Sequence, residues 1–367
     1  MVARPFYWWV PNVRKTEELG WLGREIASLN PGSFALVMAT GIISNSFFFE
    51  GRRGISDVLF AINAAAFAWL ALITLVRLLR FGPALWADLI DPSRVFGFFT
   101  MVAGSDVFGS GLSLRGLSGP ALGLWLAALA LWLALTYFSF SVLTFRNGSD
   151  GADIVAGGWL NAIVGTQSLV ILGTVVAPLV GGLADTVFVL IHALWGIGLA
   201  LYGIFIALFA ARIFYRAVSP GDVTPMLWVV MGAAAISTNA GSTLILTDSG
   251  VAFLTSMRPF IDGVTLVIWA WATWWIPLLV IFGVWKHGVH RVPLTYTPLL
   301  WSMVFPLGMY SLATARLSLA ADFPALHIGA RGMMWIALAV WIATALALIV
   351  ATWRSAWGEL GRVGTAQ

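Results

Sequence analysis

The chain has 367 residues, of which 60% are hydrophobic and 10% are charged, and its formal net charge is +4. This composition excludes an ordinary soluble domain and a disordered chain, because both carry much more charge. The chain contains no cysteine, which excludes disulfides, thiol chemistry and Cys-ligated metals. Its basic residues are spread over loops without interleaved aromatics, so we expect no nucleic-acid partner.

Residues 1–30 have mixed charge and form a predicted cytoplasmic segment. Between Thr16 and Leu29 the apolar side chains, among them Leu19, Leu22 and Ile26, fall near one helical face. This pattern predicts an amphipathic helix that lies on the membrane interface.

Ten apolar segments follow, and each is long enough to qualify as a membrane span, since a helix needs roughly 20 residues to cross the hydrocarbon core. Charged residues, Gly and Pro separate them. The predicted spans are 31–49, 55–79, 93–114, 119–145, 157–180, 186–215, 224–247, 259–285, 297–320 and 331–353. Together they make a predicted transmembrane domain over residues 31–353, which leaves 354–367 as a short cytoplasmic tail.

Polar side chains are concentrated in alternate spans. Ser, Thr, Asn and Gln number 27 in the 113 residues of the odd-numbered spans and 12 in the 132 residues of the even-numbered ones. Because lipid cannot form hydrogen bonds with these groups, the odd spans should face each other or water. The sequence therefore predicts an all-α membrane protein with an inner ring of five helices and an outer ring of five.

The basic residues indicate the orientation. Fourteen Lys and Arg lie on the side shared by the N-terminus and the even-to-odd loops, five lie on the other side, and Arg316 is inside a span. Cytoplasmic loops carry the excess of Lys and Arg. Both termini are therefore predicted to be cytoplasmic, in a multi-pass protein of the cell (inner) membrane.

Four segments in the odd spans resemble one known family, the tellurite-resistance and dicarboxylate transporters, which include the plant slow anion channels. The most specific is YTPLLWSMVFPLGMYSLATARL from Tyr296 to Leu317, followed by NPGSFALVMATGIISNS from Asn30 to Ser46. Supporting segments are DPSRVFGFFTMVAGSDVFG from Asp91 to Gly109 and GGWLNAIVGTQSLVILG from Gly157 to Gly173. The resemblance implies five helical hairpins about a central pore, and a homotrimer with one pore in each subunit.

The resemblance also implies a gate, because an aromatic side chain on the ninth helix blocks the pore in this family. The matching residue is Phe305, which is followed by Pro306. A proline inside a helix removes a backbone hydrogen bond and kinks the chain, which can push the preceding side chain toward the pore axis. The alternative is a core Phe at a proline kink.

The helical period extends this face along the ninth span. Ser302, Met309, Leu312 and Arg316 are related to Phe305 by steps of three, four or seven residues. If Phe305 faces the pore, then Arg316 does too, about 16 Å further toward the outer mouth. A cation there would raise the local anion concentration. The alternatives for Arg316 are snorkelling to the interface and a structural ion pair.

Asp106 is the acidic residue that lies deep in a span. An intramembrane carboxylate is costly unless it is paired, protonated or hydrated. We therefore consider a structural pair with Arg316, a site for a coupling proton, and a polar lining residue. The histidines lack metal-ligand spacing, and neither a metal nor a cofactor is predicted.

The sequence thus predicts a channel or transporter for small anions in a lipid bilayer, with a phenylalanine gate. The alternative is a proton-coupled carrier or exporter of C4-dicarboxylates, sulfite or tellurite-related oxyanions. An intramembrane enzyme is not expected, because the sequence contains no HExxH, GxSxG or Cys and its histidines are scattered.

Overall fold

The structure is a computed structural model that describes residues 21–146 and 157–364. Regular secondary structure in these two ranges is helical. The α-helices are α1 Trp21–Ala27, α2 Ala35–Phe49, α3 Arg53–Arg80, α4 Gly82–Leu89, α5 Phe99–Ser113, α6 Ser118–Arg146, α7 Asn161–Val176, α8 Ala184–Tyr215, α9 Trp228–Ile245, α10 Ala252–Ser256, α11 Arg258–Val284, α12 Trp301–Ala320 and α13 Ala325–Gly364.

A turn of 3-10 helix leads directly into each of α2, α5, α7, α9 and α12. Before α2, the Asn30 side chain accepts a hydrogen bond from the Gly32 backbone N–H at 2.8 Å, and Pro31 occupies the first helical position. Both residue types are favoured there, because Asn satisfies a free N–H and Pro has none to satisfy. The turns before α9 and α12 also start with proline. These five helices therefore begin in a similar way.

Eight helical stretches in the described ranges are long and apolar enough to cross a membrane. One of them, Gly158–Tyr215, has 58 residues and breaks at Gly181, whose φ of 55° and ψ of −123° are not helical, so it contains both α7 and α8. Helix α12 has 20 residues but is more polar, with Ser, Thr, Tyr and Arg side chains along its length. These two features account for the difference from the ten predicted spans.

Burial alternates along the chain as the polar residues do. The stretch that contains α9, Pro225–Ile245, is 94% buried within the protein, whereas Ala325–Arg354 of α13 is 17% buried. The buried helices pack in a closed cycle, in which α2 contacts α5, α5 contacts α7, α7 contacts α9, α9 contacts α12, and α12 contacts α2. Helices α3, α6, α8, α11 and α13 pack on the outside of this cycle.

Several tryptophans of the outer helices donate hydrogen bonds to buried helices. Trp125 of α6 donates to the Leu169 carbonyl of α7 at 2.9 Å. Trp341 of α13 donates to the Thr40 hydroxyl of α2 at 2.9 Å, which ties the last helix to the first of the cycle. The indole N–H thereby finds a partner where lipid offers none.

The helix ends correct several predicted boundaries. Helix α13 begins at Ala325 rather than at 331, because His327 and Arg331 are paired with Glu50 and their charges do not end the helix. It also continues through Gly364, into the predicted tail. The short helices α4 and α10 lie in segments predicted as loops. Of the predicted interfacial helix, Trp21–Ala27 is helical, and the part before residue 21 lies outside the described residues.

Candidate functional site

The five buried helices enclose a cavity of about 140 Å³. Each helix contributes residues from its central or C-terminal part, so the five helices run past the cavity in the same direction. The lining consists of Ile42, Asn45, Phe49, Asp106, Val107, Ser110, Ser113, Leu114, Ser168, Ile171, Val175, Ile236, Asn239, Thr243, Met309, Leu312 and Arg316. Most of these side chains are apolar, and the two charged ones are Asp106 and Arg316.

Asp106 is held by α5 against α7. Its side chain is buried, and its Oδ2 lies 2.7 Å from the Ser168 hydroxyl. That hydroxyl also lies 2.8 Å from the Gly165 carbonyl, so its one proton is shared between the carboxyl group and this carbonyl. Its Oδ1 is buried without a hydrogen-bond partner among the described residues. No ion pair joins Asp106 to Arg316 in the part of the chain that the structure describes, although both line the cavity.

Arg316 lies near the end of α12 and is partly buried. Its guanidinium carbon is 5.0 Å from the centre of the Phe49 ring, which is within the range of a cation–π contact. Within residues 21–146 and 157–364, Arg316 has neither a hydrogen bond nor an ion pair from its side chain. The N–H donors of the guanidinium therefore remain available to the cavity. The Phe49 ring does not neutralise the positive charge.

Two asparagines in the lining were not singled out from the sequence. Asn45 donates from Nδ2 to the Val107 carbonyl at 3.3 Å, and Asn239 donates from Nδ2 to the Met309 sulfur at 3.7 Å. The Oδ1 atom of each is buried and lacks a partner among the described residues. The sequence pointed to them only through the number of polar residues in the odd spans. That number does not show which of these residues line the same cavity.

The structure separates the predicted residues of the ninth span into two groups. Met309, Leu312 and Arg316 line the cavity. Phe305 is 2% exposed and does not line it; this residue precedes Met309 by about one turn of α12. Ser302 is partly buried another turn away and does not line the cavity either.

Pro306 packs where α12 meets α9. A Cβ atom added at Gly232 would lie 2.7 Å from the Pro306 Cγ, so only glycine permits this approach. Helix α12 continues through Pro306 from Trp301 to Ala320 without a break. The proline ring is thus part of the contact between two cavity-forming helices.

Charged residues surround the end of the molecule where the cavity helices finish. Glu50, which follows α2, pairs with His327 and with Arg331, at 2.7 Å in each case. Arg115, which follows α5, pairs with Asp57 at 2.8 Å. Among the described residues, no group of three or more His, Cys, Asp or Glu side chains could hold a metal ion.

Comparison with known proteins gives the family. The family model SLAC1, described as voltage-dependent anion channel, matches residues 28–349. The chain belongs to this family. That match spans α2 to α12, together with most of α13. The resemblance noted from the four sequence segments is thereby confirmed.

The names of related chains are consistent with a membrane transport protein. An uncharacterized transporter of Methanocaldococcus jannaschii is 25% identical over 328 residues, which is 86% of this chain and 92% of the relative. A second such transporter of that organism is 24% identical over 334 residues, or 87% of this chain and 92% of the relative. An uncharacterized membrane protein of Mycobacterium tuberculosis is 44% identical over 144 residues, or 39% of this chain and 72% of the relative.

Proposed function

We propose that this SLAC1-family protein is a channel for small anions, in which ten membrane helices form five hairpins around a central path. The proposed inner ring is α2, α5, α7, α9 and α12, and the cavity between them is part of the path. Support comes from the closed cycle of contacts among these helices and from the helices that pack outside it. By family resemblance we further propose a homotrimer in the inner membrane.

The observation that carries this proposal is the Arg316 guanidinium, which faces the cavity without an ion-pair partner in the described residues. In a site surrounded by apolar side chains, an unpaired cation is costly, and its charge is felt more strongly than in water. Both effects favour an anion close to it. The hydroxyls of Ser110, Ser113 and Thr243 also line the cavity, but each donates its proton inside the protein. The Arg316 guanidinium therefore supplies the donors that would replace part of the hydration shell of a passing anion.

We also propose that Phe305 closes the path. Its buried ring lies about one turn of α12 beyond the cavity, on the side away from Arg316. An anion that moved from Arg316 past Met309 would next meet this ring. In this proposal the cavity is the outer vestibule of a closed pore, and opening requires the Phe305 ring to move.

Anion flux into proteoliposomes tests the role of Arg316. We expect Arg316→Gln to lower the flux, and to lower it more at low ionic strength, because salt screens charges over about 8 Å at physiological concentration. Arg52→Gln is the matched control, since Arg52 is exposed at the same end of the molecule. If both variants conduct like the wild type, then Arg316 is not the cation of an anion path.

A proton-coupled carrier is the second candidate, and the Asp106 carboxyl favours it. An ionised carboxylate that is buried without a cationic partner is costly, and a proton on the unpaired Oδ1 would remove that cost. The same cavity would then take up an anion and a proton together. C4-dicarboxylates, sulfite and tellurite-related oxyanions are the substrates considered for such a carrier.

A further inference from the structure

A second pocket, of about 290 Å³, lies outside the five-helix cavity. It is formed by α8, the end of α9, the loop that follows α9, and the beginning of α11 with α10. Its polar lining comes from His192, Thr247, Asp248, Ser249, Thr255 and Arg258. With both termini in the cytoplasm, as the bias of basic residues predicts, this pocket opens on the outer side of the membrane.

Three polar side chains of the pocket each donate a hydrogen bond to a backbone carbonyl. The Thr247 hydroxyl donates to the Thr243 carbonyl at 2.8 Å, and the Thr255 hydroxyl donates to the Val251 carbonyl at 3.2 Å. The His192 Nδ1 lies 2.7 Å from the Phe188 carbonyl and must donate, because a carbonyl can only accept. A neutral His192 thus has only the Nε2 lone pair left. Toward a ligand these groups act as acceptors.

The pocket also has one carboxylate and one guanidinium that are not paired with each other. Asp248 accepts from the Gly250 backbone N–H at 3.0 Å, which leaves its Oδ2 available. Arg258 is exposed, and no ion pair joins it to Asp248 in the described part of the chain. The lining of this pocket therefore offers acceptors to a cation and Arg258 to an anion.

The remaining surface of the pocket is apolar. Leu244, Ile245, Leu254 and Ile261 are all buried, and all of them line it. These four side chains and the exposed Leu246 make up the aliphatic part of the lining, which we call the aliphatic floor. Contact with these side chains adds affinity for a hydrocarbon group, because burial of apolar surface stabilises a complex.

From these three features we infer that this pocket binds a small aliphatic amino acid from the outer side of the membrane. Its ammonium group donates to Asp248, the hydroxyl oxygens and the imidazole, its carboxylate pairs with Arg258, and its side chain covers the aliphatic floor. The bound molecule would contact the end of α9. Thr243, whose carbonyl accepts from Thr247, also lines the five-helix cavity, so the ligand would lie one turn of helix from that cavity.

Thermal unfolding and titration calorimetry of the purified full chain in detergent test this inference with three matched probes. These are L-leucine, 3-methylbutan-1-amine, which lacks the carboxylate, and 4-methylpentanoate, which lacks the ammonium group. We expect L-leucine to bind saturably and to raise the melting temperature, with each half-molecule at least about tenfold weaker, because each lacks one charged contact.

Variants show whether binding occurs at this pocket. Asp248→Asn and Arg258→Gln should each lower the affinity for L-leucine by about tenfold or more. Arg316→Gln, in the five-helix cavity, should leave this affinity unchanged. Either half-molecule binding as tightly as L-leucine, or unchanged binding by both pocket variants, would overturn the inference. So would an absence of leucine binding together with stabilisation by phosphatidylethanolamine, since that would assign the pocket to a lipid headgroup. None of these outcomes depends on anion flux.

Discussion

Phe305 decides whether the α12 face is a gate. We predict that Phe305→Ala raises basal anion conductance in planar bilayers, because it removes a ring next to a cavity whose polar side chains can hold water. The matched control is Phe47→Ala. Phe47 is fully buried and packs against Trp335 with ring centres 5.1 Å apart, on the outer side of α2.

The control should behave as a core residue, with a lower melting temperature and no added current, since loss of a core Phe costs about 3 to 5 kcal/mol. Phe305→Ala should cost less than this if its ring faces a path. Wild-type currents together with a steep fall in melting temperature would place Phe305 in the core and remove the gate.

A variant of Asp106 distinguishes the proposed channel from the proposed carrier. Asp106→Asn keeps an oxygen that can accept from the Ser168 hydroxyl but removes the titratable group. For a channel we expect the variant to fold and to carry anion flux within about twofold of the wild type at pH 5.5 and pH 7.5. Ser168→Ala is the companion variant, because it removes the hydrogen bond and leaves the carboxyl. Loss of pH-driven uptake in Asp106→Asn alone would favour the carrier.

The residues that sequence could identify are those whose chemistry is rare in a membrane helix. Asp106 and Arg316 stand out because a charge inside an apolar span is costly, and the structure places both in one cavity. Asn45 and Asn239 did not stand out among 27 polar residues in the odd spans. Helical period alone also does not show where the cavity ends, since Ser302 shares the face of Met309 but lies beyond Phe305 and outside the cavity.

At the level of helices, close contacts of glycines determine how near the inner helices come. A Cβ atom added at Gly308 of α12 would lie 2.8 Å from Ile42 Cγ2 and 2.9 Å from Ile43 Cγ1 of α2. We predict that Gly308→Ala lowers the melting temperature, because overpacking a dense contact typically costs about 1 to 3 kcal/mol.

The control is Gly196→Ala in the interior of α8, where an added Cβ meets no atom within 4 Å. Alanine is favoured over glycine in a helix by up to about 1 kcal/mol, so this variant should be neutral or stabilising. Thermal unfolding in detergent measures both. A Gly308→Ala protein as stable as Gly196→Ala would show that α2 and α12 can separate easily, against a tightly closed ring.

Helix positions were predicted well where hydropathy and charge change together. The predicted span 55–79 corresponds to Arg53–Arg80, and 186–215 corresponds to Ala184–Tyr215. The prediction failed where tertiary contacts satisfy a charge, as at the start of α13. The sequence also could not predict the hydrogen-bond partners of the tryptophans. A Trp that donates between helices, as Trp341 does, has the same sequence signature as one that anchors at the membrane interface.

For the whole molecule, helix direction affects where an anion is stabilised. The five cavity helices run in parallel, so their N-terminal ends, each with free backbone N–H groups and partial positive charge, lie together at one end. Their C-terminal ends, with partial negative charge, lie together on the cavity side. In the proposed path, the helix ends disfavour an anion at that end, and the charge of the Arg316 guanidinium offsets their effect.

Cysteine labelling tests the orientation of the helices in the membrane. The bias of fourteen to five basic residues predicts that both termini, and the N-terminal ends of the inner helices, lie in the cytoplasm. Because the chain has no cysteine, single substitutions give unambiguous labelling. Ala217→Cys follows α8 and Ala252→Cys begins α10, and both positions are exposed. In intact cells we expect an impermeant maleimide to label Ala252→Cys alone, with Ala217→Cys labelled only after lysis. Labelling of both variants in intact cells would show that residues 217 and 252 lie on the same side of the membrane. That result would contradict the ten-span model.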